Sequence, residues 1–263
     1  MIKLAISGAG GRMGQRLIDL GTQDSSFEIV AALESSSHPL LGKDAGEIAG
    51  AGTIGVSLSD QVPDGIESLI DFSLPAGADR AIEHCARHSV PLVMATTGLE
   101  ESTIKKIHDA SKTVPIVWAP SMSLAVNLTM KLAQTAGLAL KDHSTGVDVE
   151  IIERHHRFKA DAPSGTALKF GEILASAMEI TNHQHGREGE TGQRPHNEIG
   201  YHAVRTGDDT GQHTIVFGML GETIELKVAS SNRDCYASGA LAAAKFVATQ
   251  SPGLYSMYDV LGL

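Results

Sequence analysis

Residues 150–168 read EIIERHHRFKADAPSGTAL and join two predicted elements of secondary structure. The apolar residues around the start of this stretch predict a strand over residues 147–153. Ser164 is a suitable N-cap residue for a predicted helix that starts at Gly165. The polar residues in between therefore lie at the carboxyl end of a strand and face the amino end of a helix, where α/β folds place their ligands.

This segment is cationic, although the chain as a whole has a formal net charge of −10. Its basic or titratable residues are Arg154, His155, His156, Arg157 and Lys159. The histidines indicate proton chemistry, because imidazole changes its charge near neutral pH. The backbone amides of Gly165 and Thr166, at the positive end of the helix dipole, favour an anion. These features predict a small substrate with several negative charges; a solvated basic turn is the alternative.

The same stretch resembles the signature of bacterial dihydrodipicolinate reductases, E-[IL]-[IV]-E-x-H-H-x-x-K-x-D-[AS]-P-S-G-T-A. Every fixed position of that signature is filled in this chain. The resemblance implies NAD(P)H-dependent reduction of 4-hydroxy-tetrahydrodipicolinate, a cyclic imine dicarboxylate, in the diaminopimelate route of lysine biosynthesis. It makes His155 the general acid, Lys159 a second proton donor and carboxylate partner, and His156 a substrate-binding residue. The remaining substrate-binding residues are Ser164, Gly165 and Thr166.

A glycine-rich turn follows an apolar strand predicted over residues 2–7 and precedes a helix. Gly8, Gly11 and Gly14 form a G-x-x-G-x-x-G pattern, whereas Met13 breaks the stricter G-x-G-x-x-G pattern. Strand, glycine turn and helix are the context of a dinucleotide-binding site. The residues expected to bind the cofactor are Gly8, Ala9, Gly10, Gly11, Arg12 and Met13. A glycine turn without a ligand is the alternative.

Glu34 follows the next predicted strand, residues 27–33, about 20 residues after the turn, where an acid binds the adenosine ribose. The reductase family often places an arginine directly after this acid, suited to the 2′-phosphate of NADP, but this chain has Ser35. The sequence therefore favours NADH. NADPH stays open, because Lys43 or the serine hydroxyls could bind the phosphate.

Strands and helices alternate as far as residue 118 and predict an α/β fold with a Rossmann-like, doubly wound parallel sheet. Several strands end at the edge where the nicotinamide ribose is expected. The expected cofactor-binding residues there are Phe72, Ala95, Thr96, Thr97, Ala119, Pro120, Ser121 and Met122. The chain departs from the family pattern at Ala95, Ser121, Met122 and Ala125.

The second half predicts a smaller α+β domain. Residues 127–235 are assigned to substrate binding and oligomerisation, and residues 1–126 with 236–263 to the dinucleotide-binding domain. Strands at 147–153, 199–205, 213–220 and 223–230 are expected to form a mixed, mostly antiparallel sheet, with the helix from Gly165 on one face. The other face is expected to be apolar and uncovered, so it would pack against partner subunits. Relatives are tetramers, which implies a homotetramer.

Composition restricts the class of protein further. The negative charge argues against a nucleic-acid partner, and no apolar run reaches the ~18 residues that cross a bilayer. The first residues, MIKLAISGAG, predict a strand and a turn rather than a signal peptide. The two cysteines cannot form a disulfide framework. A cytoplasmic protein is therefore expected.

Residues 181–197 form a polar run without periodicity, which is typical of a long functional or disordered loop. Its histidines, His183, His185 and His196, lack the spacing of a metal site, so no metal is expected. Two alternatives to the reductase stay open. One is a dinucleotide-binding regulator without catalysis, since a fold does not dictate function. The other is an oxidoreductase that acts on another small acid.

Overall fold

The computed structural model describes residues 1–263. The chain divides into two compact units. Unit 1 comprises Met1–Leu124 and Arg233–Leu263, and unit 2 comprises Ala125–Asn232. The sequence predicted boundaries after residues 126 and 235, whereas the units divide after residues 124 and 232. No helix is both long and apolar enough to cross a membrane.

Unit 1 contains a seven-stranded sheet in which every pairing is parallel. Its strands are β1 (Ile2–Ser7), β2 (Phe27–Leu33), β3 (Leu58–Ser59), β4 (Ser68–Asp71), β5 (Leu92–Met94), β6 (Pro115–Trp118) and β12 (Gly253–Tyr255). Its helices are α1 (Arg12–Gln23), α2 (Ala45–Ala49), α3 (Pro75–His88), α4 (Glu101–Ala110), α7 (Asp234–Val247) and α8 (Met257–Leu261). The strand order is β12-β6-β5-β4-β1-β2-β3, which confirms the predicted Rossmann-like fold.

The alternation of side chains along the strands divides the core of unit 1 between the two faces of the sheet. Leu4 of β1 packs in one cluster with Leu17 of α1 and Leu241 of α7. The next residue, Ala5, packs in the other cluster with Ile82 of α3. Both faces are therefore covered by helices, as a parallel sheet requires.

Unit 2 is built on a five-stranded sheet. Its elements are α5 (Leu124–Leu140), which begins at the last residue of unit 1, β7 (Asp148–His155), α6 (Gly165–Met178), β8 (Asn182–His185), β9 (Glu198–Arg205), β10 (Gln212–Met219) and β11 (Glu222–Ala229). The strand order is β11-β10-β7-β9-β8. The predicted mixed sheet is confirmed. The expectation that it is mostly antiparallel is wrong, because β9 pairs in parallel with both β7 and β8.

One of the two parallel pairings involves β8, a strand that the sequence did not predict. It lies inside the polar run expected to be a loop, and α6 is the crossover that returns the chain in the direction of β7. The rest of that run is held by two arginines. Arg187 donates to both carboxylate oxygens of Glu150, and Arg194 donates to Glu150 and to the carbonyl oxygen of Val149. The segment is therefore tied to β7.

Glu150, the first glutamate of the signature, organises these contacts. Burial raises the pKa of its carboxyl, but hydrogen bonds from Arg187, Arg194 and His202 outweigh burial and lower the pKa to about 2. A Cβ atom at Gly200 of β9 would lie 1.9 Å from Oε2 of Glu150. Only glycine therefore fits beside this carboxylate.

The two faces of the unit 2 sheet differ in polarity. Val149 and Ile151 are fully buried, on the face that α6 covers. The opposite face exposes Ile152 (41%) and Val204 (43%), but it also carries Arg154 and other charged residues that share its register. The expectation of an apolar face is therefore wrong, because charged residues lie on this face beside the apolar ones.

Candidate active site

The site in unit 2 begins at the carboxyl end of β7. The sequence predicted that Arg154 and His155 follow this strand. The structure extends the strand to His155, so both residues lie inside it. Side chains two residues apart on a strand point to the same face. Glu153 and His155 therefore both face the covered side of the sheet, whereas Arg154 faces the other side and pairs with Asp209 at 2.6 Å.

Glu153 is the centre of a buried cluster and is only 1% exposed. Its Oε2 lies 2.6 Å from Nδ1 of His155. Arg205, at the end of β9, donates to both carboxylate oxygens at 2.8 Å. The backbone amide of Ser164 donates to Oε1 at 3.0 Å. Glu153 thus joins β7, β9 and the amino end of α6.

These partners determine the charge of Glu153. Burial raises the pKa of its carboxyl, but hydrogen bonds from Arg205, His155 and the Ser164 amide outweigh burial and hold the pKa below its ordinary value. Glu153 is therefore a carboxylate at neutral pH. A carboxylate can only accept hydrogen bonds, so Nδ1 of His155 carries a proton and Nε2 is left for other chemistry.

Gly211 leaves room at Nε2 of His155. A Cβ atom at this position would lie 2.9 Å from Nε2, and its φ angle of 134° is unfavourable for other residues. Any side chain here would cover the nitrogen that Glu153 leaves available. Glycine at position 211 therefore keeps one side of the imidazole accessible.

A second histidine supports the amino end of α6. Nε2 of His213, on β10, lies 2.9 Å from the hydroxyl of Ser164, and that hydroxyl also accepts from the amide of Ala167 as the helix cap. Burial lowers the pKa of His213 to about 4, and the neighbouring His155 contributes. His213 is therefore neutral at physiological pH and acts as a hydrogen-bonding support.

The cap leaves the amides of Gly165 and Thr166 available for an anion, because Ser164 satisfies only the amide of Ala167. A Cβ atom at Gly165 would meet nothing within 4 Å, so the approach is open. Lys159 adds a positive charge to this loop. Its Nζ lies 2.8 Å from Oδ1 of Asp161, and this hydrogen bond lowers the pKa of the Asp161 carboxyl.

His156, the other histidine of the signature, has a buried Nδ1 without a hydrogen-bond partner in the protein. Its ring centroid lies 6.1 Å from that of Phe158, which is 80% exposed. A buried polar atom without a partner is costly. His156 therefore has a ring nitrogen that is free to form a further hydrogen bond, three residues before Lys159.

The structure fits a dinucleotide at the glycine turn of unit 1. A Cβ atom at Gly8 would lie 2.4 Å from the carbonyl oxygen of Phe72, and one at Gly14 would lie 2.2 Å from that of Gly8. Strand, turn and helix therefore pack too closely for side chains. Gly11 caps α1 without a side-chain hydrogen bond, so the first-turn amides, including those of Arg12 and Met13, are available to a pyrophosphate.

Gly14→Ala tests this turn. We expect the NADH dissociation constant to rise about tenfold or more, because overpacking of this kind typically costs about 1–3 kcal/mol and must displace α1 from the turn. Fluorescence titration with NADH measures the change. Gly21→Ala in the same helix is the control, since the atom nearest to its Cβ would be the flexible end of Ile29 rather than backbone. Equal affinities in the two variants would contradict a pyrophosphate site at the turn.

A cavity of about 410 Å³ lies beside the glycine turn and is lined by Gly8, Gly11, Glu34, Ser35, His38, Arg80 and neighbouring residues. The carboxylate of Glu34 accepts from the amides of Gly10 at 3.0 Å and Ser35 at 3.2 Å. These bonds hold the carboxylate at the end of β2, beside the cavity. Lys43 is not among the residues that line the cavity.

The other predicted cofactor residues follow β4, β5 and β6, three neighbouring parallel strands. Phe72 is half-buried, and Thr97 and Pro120 are exposed. Ala95, Ala119 and Met122 are buried, so they offer backbone rather than side-chain atoms, and Ser121 is half-buried. Thr96 donates to Oδ2 of Asp71 at 2.5 Å, and burial raises the pKa of that carboxyl.

The sequence did not identify four residues of the unit 2 cluster: Glu153, Arg205, Gly211 and His213. Only Glu153 carried a local signal, because its spacing from His155 places both on one face of a strand. The other three come from distant parts of the chain. No group of three or more His, Cys, Asp or Glu residues is arranged to hold a metal ion; His183 and His185 stack instead on Tyr201.

A Rossmann-like unit with a glycine turn and a unit with a His–Lys anion site together define an NAD(P)H-dependent oxidoreductase. The sequence matches two family models, "Dihydrodipicolinate reductase, N-terminus" over residues 2–122 and "Dihydrodipicolinate reductase, C-terminus" over residues 125–261. The chain belongs to the dihydrodipicolinate reductase family.

Similar proteins agree with this assignment. The chain is 56% identical to the 4-hydroxy-tetrahydrodipicolinate reductase of Rhodopirellula baltica, over 100% of this chain and 96% of the relative. It is 43% identical to the enzyme of that name from Alkalilimnicola ehrlichii, over 99% of each. The dipicolinate-bound dihydrodipicolinate reductase of Paenisporosarcina sp. TG-14 superposes with a TM-score of 0.80 at 25% identity, over 98% of each chain.

Proposed function

We propose that this protein reduces 4-hydroxy-tetrahydrodipicolinate to tetrahydrodipicolinate in lysine biosynthesis. The overall reaction consumes the substrate, one proton and NAD(P)H, and it yields tetrahydrodipicolinate, water and NAD(P)⁺. The relatives carry the name of this activity, and a structural neighbour binds dipicolinate, a related dicarboxylate. The observation that carries the proposal is the end of β7, where His155, Lys159 and the free amides of α6 occur together.

Substrate binding follows from the charges of unit 2. One carboxylate accepts from the amides of Gly165 and Thr166 and from the Thr166 hydroxyl, with the helix dipole behind them. Lys159 exchanges its bond to Asp161 for a bond to substrate, because a carboxylate brought to this loop competes with an exposed aspartate. His156 supplies a further donor through its unused ring nitrogen.

The bound dinucleotide supplies hydride, and the protein's side chains supply binding and protons. His155 takes up a proton at Nε2 and delivers it as the general acid, and Glu153 stabilises the imidazolium during that step. Lys159 is the second proton donor. Gly8, Gly10, Gly11 and the first turn of α1 hold the pyrophosphate, and Glu34 binds the adenosine ribose.

We propose that NADH is the preferred cofactor. The cavity beside Glu34 has a carboxylate and a serine where a 2′-phosphate would lie, and charge repulsion from Glu34 disfavours that phosphate. Ser35→Arg is expected to raise kcat/KM for NADPH about tenfold or more, because an arginine–phosphate bond contributes about 1.5–3 kcal/mol. Ser36→Arg, at an exposed position outside the cavity lining, is the control. A wild-type preference for NADPH would contradict the proposal.

We further propose that the protein is a cytoplasmic homotetramer without nucleic-acid or membrane partners. The support is the exposed pair Ile152 and Val204 on the uncovered face of the unit 2 sheet, flanked by charges suited to a specific contact. Light scattering is expected to give four times the mass of the chain. A monomer mass at micromolar concentration would contradict the tetramer.

The turnover test uses substrate made in place from pyruvate and aspartate semialdehyde, with NADH oxidation followed at 340 nm. We expect substrate-dependent oxidation with one NADH consumed per tetrahydrodipicolinate formed. A protein that binds NADH without turnover on this substrate would be a regulator. Turnover only on another small acid would identify the alternative oxidoreductase.

A further inference from the structure

We propose that Glu153, clamped by Arg205, is the positioning residue of His155: it fixes the imidazole with its proton on Nδ1 and ties the ring to the amino end of α6. The inference rests on the proposed function for the role of His155. Its basis is the buried geometry around Glu153, which holds two elements of the site with one carboxylate.

Glu153 orients the His155 ring. Glu153 and His155 share a face of β7, and Nδ1 lies 2.6 Å from Oε2 of Glu153. The carboxylate cannot donate, so Nδ1 must, and the neutral ring then has its lone pair on Nε2. Gly211 leaves that nitrogen uncovered. The ring therefore presents one defined nitrogen for proton transfer.

Arg205 holds the Glu153 carboxylate in place. Arg205 holds both oxygens of Glu153 and also donates to the carbonyl oxygen of Asp161 at 2.6 Å. Paired, bidentate bonds of this kind fix orientation as well as charge. Arg205 thereby links Glu153 to the loop that carries Lys159. The Glu153–Arg205 pair therefore contacts both His155 and the loop that carries Lys159.

Glu153 also connects the His155 ring to the proposed anion site at the start of α6. Oε1 of Glu153 accepts from the amide of Ser164 at 3.0 Å, directly before Gly165 and Thr166. The same carboxylate thus sets the position of the His155 ring and of the helix end that binds the substrate carboxylate. Glu153→Gln is expected to alter the rate of the proton-transfer step more than substrate affinity, because the glutamine carbonyl oxygen can still accept from the Ser164 amide.

The charged or titratable groups near His155 lie on several elements. They are Glu153 on β7, which Arg205 of β9 holds, His213 on β10, whose ring centroid lies 5.2 Å from that of His155, and Asp209. Asp209 is bound by Arg154, and His213 is uncharged at neutral pH. Glu153 is therefore the negative charge that is in direct contact with the ring.

Glu153→Gln tests the proposal in the full-length protein. We expect kcat to fall about 10²-fold, within the range of general acid–base catalysis, with less than a threefold change in KM. The split between kcat and KM separates loss of the ring's position from loss of substrate binding, because the amides of α6 that are proposed to bind the substrate are unchanged. Glu153→Asp, which restores the charge, is expected to recover about tenfold in kcat.

Glu198→Gln is the matched control, because Glu198 is also buried and bound by an arginine, Arg187, in the same sheet. It is expected to leave kcat and KM within about twofold of the wild-type values, because it does not contact His155. If Glu153→Gln keeps more than half of the wild-type kcat, the positioning role is overturned. A loss of kcat of equal size in Glu153→Gln and Glu198→Gln would also overturn it.

A nitrogen-15 NMR spectrum of the wild type at pH 8 gives a test that needs no variant. We expect His155 to show a protonated Nδ1 and an unprotonated Nε2. The opposite tautomer would overturn the inference. This readout is independent of turnover, so a wild-type protein that is inactive on 4-hydroxy-tetrahydrodipicolinate would refute the proposed function and still leave the positioning of His155 testable.

Discussion

His155→Gln and Lys159→Ala are each expected to lower kcat by about 10²–10³-fold, while NADH binds as in the wild type. A positioned acid contributes about 10²–10⁴-fold to the rate of a proton transfer. Glutamine keeps the size and polarity of the side chain at position 155 but cannot carry the proton. Alanine at position 159 removes both a donor and a cation, so KM for the substrate is also expected to rise.

Steady-state assays at 340 nm with varied substrate measure these effects, and fluorescence titration measures NADH binding. Lys169→Ala is the control, because Lys169 is an exposed lysine on α6 that pairs with Glu172. It is expected to behave as wild type. Near-normal kcat in both site variants would place the proton chemistry elsewhere in the chain.

Arg205→Ala is expected to destabilise the protein by about 3 kcal/mol at pH 7. The substitution leaves Glu153 as a buried carboxylate without its cation, and breaking a buried pair typically costs about 3–5 kcal/mol. The lower end applies because the Arg205 side chain is 20% exposed, so solvent screens part of the interaction. Urea unfolding followed by circular dichroism gives the free energy.

Arg154→Ala on the opposite face of the sheet is the control. Its bond to Asp209 joins a side chain that is 46% exposed, and such pairs contribute about 0–1 kcal/mol. Equal losses in the two variants would mean that the pairing of Glu153 does not stabilise the fold.

The difference between wild type and Arg205→Ala also depends on pH. The folded-state pKa of Glu153 is lowered, so its pairing stabilises the fold fully above the unfolded pKa of about 4.3. This contribution is lost as pH falls from there through the folded pKa. We expect the two unfolding free energies to approach each other as pH falls below the unfolded value and through the lowered folded pKa of Glu153. A gap that stays constant in that range would contradict the assignment of the loss to Glu153.

The fold of unit 1 was predictable because its signals are local. Apolar runs bounded by glycine and polar residues predicted β1 and β2 with the bounds that the structure has. Short elements with weak patterns, α2, β3, β12 and α8, were not predicted. These elements are stabilised by packing against the rest of the unit more than by their own sequence pattern.

The site was only partly predictable for a different reason. The signature and the cap at Ser164 follow from adjacent residues, but Arg205 lies 52 residues from Glu153 in the chain. Its position depends on the parallel register of β7 and β9, and a one-residue slip would turn it to the other face. His213 depends in the same way on β10. Long-range register is not encoded in any local pattern.

A crystal structure of the protein with dipicolinate is the most direct test that the end of β7 and the start of α6 form the substrate site. We expect one carboxylate of the ligand within about 3.2 Å of the amides of Gly165 and Thr166. We also expect Lys159 to have left Asp161 for the ligand, with His155 Nε2 directed towards it. Dipicolinate bound elsewhere in the protein, with these amides and Lys159 untouched, would contradict the assignment.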